Sequence, residues 1–170
     1  MRTSTVVFCF CLVLASTAQD VQRVSGNWQV DEKQSKEKAT AVANPPSNAP
    51  QIPPPPPTRH KYTPENILQS GQVLKISGGE AGTTAVYTID PSGKEVTDSI
   101  PDAPGSVRVA KSHWDDGRLV TEWKMKRDGE VFMHGTDTRR LKTEDVQIVE
   151  RLIESPRHHA EVHLVLERVH

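Results

Sequence analysis

His159, Glu161 and His163 recur at the two-residue period of a strand, which places two imidazoles and a carboxylate on one face, where they could ligate a metal. His113 or His134 could complete the set. No second spaced pair of ligands supports the idea, and the face in question lies opposite Leu164 and Leu166, so solvated histidines on a strand edge are the simpler reading and no metal site is expected. Asp115-Asp116 offers the paired carboxylates of general acid–base chemistry, but directly before Gly117 the pair reads as a turn former. No G-x-S-x-G elbow occurs, and the two cysteines, Cys9 and Cys11, both fall in the N-terminal segment discussed below. A thiol nucleophile is therefore not expected. Gly78-Gly79 and Gly82 are followed by no Lys-Ser or Lys-Thr pair and open no helix, so they make no phosphate loop. The expectation is a protein that is not an enzyme, with no catalytic residue and no cofactor.

The elements that position these residues begin after residue 18. The opening segment MRTSTVVFCFCLVLASTAQD has one charge at Arg2, an apolar run from Val6 to Ala15, and small residues at Ser16 and Ala18. This is the layout of a cleavable signal peptide, residues 1–18, and the run is well short of the ~20 residues a membrane-spanning helix needs. Secretion or delivery to a periplasm follows, with a single domain over residues 19–170 and no membrane span. Cleavage would remove both cysteines, so stability would come from packing without a disulfide. It would also take the basic count from 21 to 20 against 22 acidic residues, a formal charge of −2. Such a balance supplies no basic field for nucleic acid or an anionic membrane.

Within the domain, Asn44 to Pro57 is a low-complexity run containing five consecutive prolines. Prolines donate no ladder hydrogen bonds and prefer an extended helix, so residues 41–58 read as a stiff exposed loop after a first strand. Pro54 to Arg59 satisfies a P-x-x-P-x-R pattern, which five prolines make almost unavoidable. Asp31 to Thr40 is the only candidate for helix, a short surface turn, because it is rich in Glu, Lys and Ala yet lacks an apolar stripe.

From Asn66 onward strands and turns alternate. Ser70-Gly71, Pro91-Ser92-Gly93, Asp116-Gly117 and Asp128-Gly129 supply the turns, and the two Asp-Gly pairs are typical of tight hairpins. Leu119, Thr121, Trp123 and Met125 alternate with Val120, Glu122, Lys124 and Lys126, which predicts one packed and one wet face. In the last strand Val162, Leu164, Leu166 and Arg168 share a face. The count is eight to ten strands in sequential hairpins, an all-β antiparallel up-and-down meander of the kind that closes into a barrel.

Ser25-Gly26-Asn27-Trp28, the Ser35-Lys36 pair, the proline-rich loop and a last strand carrying Arg168 resemble small secreted lipocalin-like proteins, in particular exported bacterial proteins with an S-G-x-W start. The resemblance implies that Gly26 and Trp28 close the barrel floor with Arg168 packed over the indole. It also implies a cavity entered from one end, with Asp31 to Thr58 as a lid, that takes a small and chiefly apolar ligand. Tyr87, Trp123, Met125 and Phe132 are the candidate ligand-lining residues, and a plain packed core is the alternative for the same side chains. Eight-stranded barrels either fill their interiors or hold one small ligand, so a non-enzymatic envelope or extracellular interaction protein with a solid core, its protein partner unknown, stands as the second reading.

Overall fold

The computed structural model describes residues 23–43, 62–79, 85–101 and 103–170. The segment expected to be a signal peptide and the run from Asn44 to Pro57 fall outside these residues, as does the Pro54 to Arg59 pattern.

Eleven strands form one antiparallel sheet: β1 Gly26–Val30, β2 Lys36–Ala41, β3 Thr63–Ser70, β4 Val73–Gly79, β5 Val86–Ile89, β6 Ser92–Ser99, β7 Ser106–Asp115, β8 Arg118–Arg127, β9 Glu130–Thr143, β10 Val146–Glu154 and β11 His158–Arg168. The expected eight to ten is thus exceeded, and the reason lies in β1 and β2. Both pair with β11, β1 through Val30↔Leu166 and β2 through Lys36↔His163. They are one path along β11, interrupted where Asp31 accepts the amides of Lys33 and Gln34 on Oδ1 and pinches out a turn. The expected surface helix over Asp31 to Thr40 is consequently a turn followed from Lys36 by a strand; the residues of β2 are all exposed, which is why no apolar stripe marked it.

Around the sheet the order is β5-β4-β3-β1-β11-β10-β9-β8-β7-β6. The first strand meets the last, and the sheet is a nearly closed barrel whose seam lies between β5 and β6. Across that seam the Thr88 amide donates to Asp98 Oδ2 at 2.9 Å, a carboxylate standing in for a ladder carbonyl.

Turn chemistry sets the register of the clearest region. Asp116 and Gly117 have φ of 47° and 71°, and Asp128 and Gly129 have 51° and 86°, so both hairpins are the two-residue type that matches strand twist. In β9, however, Phe132 is an extra residue: Lys126 faces Val131 while Met125 faces Met133. This one-residue bulge turns Gly135, Asp137 and Arg139 toward the inner face occupied by Trp123, Thr121 and Leu119.

The two ends of the barrel differ. The tight turns at residues 71–72, 90–91, 116–117 and 144–145 all lie at one end, the floor, whereas the connections 42–62, 80–85 and 100–105 all leave from the other, the mouth. Buried apolar side chains concentrate toward the floor and around its walls, among them Trp28, Ile67, Leu74, Leu119, Val149 and Leu166.

Candidate functional site

Trp28 is fully buried at the floor, and its Nε1–H donates to the Val24 carbonyl at 3.0 Å. Arg168, its register partner on β11, stacks with its guanidinium carbon 4.4 Å from the indole and donates to the carbonyls of Arg23 (2.7 Å) and Ser25 (2.8 Å). Gly26 lies beneath the same guanidinium: its φ is +128°, and a β-carbon there would meet Arg168 Nη1 at 2.6 Å. The structure therefore brings Gly26, Trp28 and Arg168 together in one stack. A guanidinium on indole contributes about 0.5–2 kcal/mol, and here it also ties the chain segments on either side of the floor.

Above this floor a strut crosses the lumen. Arg139 on β9 makes a two-armed pair with Glu65 on β3, Nη1–Oε2 at 2.8 Å and Nη2–Oε1 at 3.1 Å, and Nη1 also donates to Gln147 Oε1 at 2.7 Å. Both charged side chains are about 4% exposed. The two strands lie on facing walls of the barrel, so this contact spans the interior.

Between the strut and the mouth the inner face is polar. Asp137 accepts Trp123 Nε1–H at 2.9 Å and both arms of Arg151 at 3.0 Å. Gly135, directly opposite Trp123, is what lets the indole lie flat there, since a β-carbon would come within 2.6 Å of the ring. Burial acts to raise the Asp137 carboxyl, but the charge and hydrogen bonds of Arg151, the bond from Trp123 and the charge of Arg139 together hold it below the ordinary carboxylate range. Ser112 and Thr121 share a hydrogen bond of 2.9 Å in the same layer.

Arg108 on β7 is 5% exposed and stacks 4.8 Å from the centre of the Tyr87 ring. Among the described residues its ion-pair partner is Asp98, with Oδ2 3.6 Å from Nη1 and beyond hydrogen-bond reach, so the buried Nη1 has no hydrogen-bond partner there. Burial pulls the guanidinium's pKa below its usual value, with Asp137 and Asp98 acting against that pull. At the rim Arg127 stacks 5.3 Å from the Phe132 ring and donates from Nε to Ser106 Oγ at 3.1 Å.

Of the four residues singled out as lining, Tyr87, Trp123 and Met125 share the inner face of the mouth half, and Phe132 sits at the rim in the bulge of β9. Sequence reasoning missed Glu65, Asp98, Arg108, Asp137, Arg139, Gln147 and Arg151. The signal available for Arg108 was its alternation with Val107 and Val109, in step with Ala110 and Ser112.

On the outer face His134 lies 2.9 Å from Glu154, His159 is 3.5 Å from Glu161, and His163 is 3.6 Å from Glu150. These are exposed pairs spread across β9, β10 and β11, and among the described residues no three histidines, aspartates or glutamates are grouped to hold a metal. Two open clefts of about 190 and 290 Å³ lie outside the floor, the first beside Val24, Trp114 and Leu141 and the second beside Arg168 and His170. Among the described residues no helix is long and apolar enough to cross a membrane.

Fold and site together define an antiparallel β-barrel with a sealed apolar floor and a polar mouth. Neither a scan of protein-family models nor a search of curated proteins finds a match to the chain.

Proposed function

We propose that this chain is an exported, lipocalin-like binding protein that holds a small molecule in the mouth half of its barrel, without catalysis. The observation that carries the reading is the asymmetry of the barrel. The floor is packed around Trp28 under Arg168, while the opposite half presents Arg108, Asp137, Arg151, Trp123 and Met125 at the end from which the long connections leave. Small-molecule sites are typically apolar recesses with a few placed polar groups, and barrel mouths are a usual location. The charges in this lining favour a ligand with a polar head over the purely apolar one suggested by the resemblance.

Native mass spectrometry of the protein purified from its own host tests both halves of the proposal. The expected result is a chain beginning at Gln19 with a small-molecule adduct that heat or organic solvent removes. A chain retaining residues 1–18 would count against export, and repeated absence of any adduct would count against the carrier reading.

A further inference from the structure

Arg108 is 5% exposed, and its Nη1 is buried with no hydrogen-bond partner among the described residues. Leaving a buried guanidinium nitrogen in that state is costly, and the hydrogen bonds of the surrounding acids go to other donors. Both oxygens of Asp137 are taken by Arg151, with Trp123 adding to Oδ1. Asp98 Oδ2 accepts the Thr88 amide that bridges the seam and stands 3.6 Å from Arg108 Nη1, within ion-pair range but beyond hydrogen-bond reach. The other two interior arginines show the contrast: Arg139 and Arg151 each bind a carboxylate with two arms.

The placement of Arg108 adds a second, independent observation. Ser106 and Arg108 are successive inner-face residues of β7, and Ser106 is the partner of Arg127, so two guanidiniums stand one step apart along the same wall from rim to interior. Each rests on an aromatic ring, Arg127 on Phe132 and Arg108 on Tyr87. A guanidinium held by its face against a ring keeps the N–H edges available for planar, two-armed recognition of an oxyanion. Trp123 and Met125, on the neighbouring strand β8, supply apolar surface beside it.

We infer that Arg108 is the anchor for the oxyanion head, carboxylate or phosphate, of a small amphiphile that enters by the mouth past Arg127. The inference rests on the carrier reading and names its ligand class. The head supplies the hydrogen-bond acceptor that Arg108 Nη1 lacks, and the tail lies along Trp123 and Met125.

The test is isothermal titration of the secreted chain with three eight-carbon probes, octanoate, octyl phosphate and the neutral octanamide. Saturable binding of octanoate or octyl phosphate, at least tenfold tighter than octanamide, is expected, and whichever of the two is tighter identifies the head. Arg108→Met should weaken that binding at least tenfold, Arg108→Lys less, and Arg140→Met on the outer wall not at all, with thermal melting confirming that each variant is folded. Arg108→Lys serves as the reading if Arg108→Met does not fold. Equal binding of octanamide, or full binding by the folded Arg108 variants, overturns the role of Arg108 while leaving the carrier reading in place. Failure of all three probes in a protein that carries a native adduct overturns the oxyanion assignment alone, whereas failure together with no adduct removes the carrier reading beneath it.

Discussion

Replacing Arg139 by methionine would leave the Glu65 carboxylate in the middle of the barrel with its two-armed partner gone. Both side chains are about 4% exposed, so little solvent is present to screen the change. Removing one member of a buried pair costs about 3–5 kcal/mol, because the survivor keeps its desolvation penalty and loses the attraction that offset it. Gln147 Oε1 loses its donor in the same stroke, a further cost of about 1 kcal/mol. For a domain of this size, about 2–4 °C per kcal/mol puts the fall in melting temperature on the order of 10 °C. The double variant Glu65→Leu/Arg139→Met removes both charges and should recover most of the loss, ending within about 2 kcal/mol of the parent or above it. Urea unfolding of the parent, both single variants and the double variant gives the coupling directly. A loss below about 1 kcal/mol for Arg139→Met, or single losses that simply add in the double variant, would refute the account of a desolvated strut.

Three other outcomes follow from the same geometry. Asp137 has its carboxyl depressed in the folded state, so its contribution is present above the unfolded carboxylate range near 3.9 and is lost as pH falls through the lower folded value; Asp137→Asn should flatten that part of a pH series of urea midpoints. Gly135→Ala forces a β-carbon against the Trp123 indole and the Leu152 carbonyl, which should cost about 1–3 kcal/mol and shift tryptophan emission as the ring is displaced. Asp98→Ala deprives the Thr88 amide of its acceptor across the seam, so hydrogen exchange at Thr88 should accelerate while the amides of β10 keep their protection.

Much of the wall of this barrel could be read from the sequence because local rules acted alone there. Asp116-Gly117 and Asp128-Gly129 dictate their turns, and Leu119, Thr121 and Trp123 are buried on the face their spacing selects. The charged interior was not legible, for a specific reason. Continuing β9 from its turn without interruption would set His134 opposite Trp123 and send Asp137 and Arg139 outward; the bulge at Phe132 moves the pairing by one residue and sends them in. Nothing in the residues around Phe132 announces that shift. Glu65 and Arg139 lie 74 positions apart, so only the closed sheet reveals them as partners. β2 escaped notice because all its residues are wet and its hydrogen bonds to β11 leave no hydropathy pattern.

The seam between β5 and β6 has a consequence for how the chain is threaded. These two strands follow one another directly yet do not pair, while β1 and β11, at opposite ends of the described domain, do, with the Val169 amide donating to the Asn27 carbonyl at 2.9 Å. If a short linker joined residue 170 to residue 23 and the backbone were cut at Asp90-Pro91, the new chain would run β6 to β11, then β1 to β5. Apart from β2, which lies between β1 and β3 in the chain and along β11 in the sheet, every neighbour in the sheet would then be a neighbour in the sequence. Such a circular permutant trades the longest-range pairing for a short one at no loss of ladder, so its contact order drops and its refolding rate in stopped-flow should rise above that of the natural order. But for β2, the barrel is a meander whose order begins in the middle of the sheet.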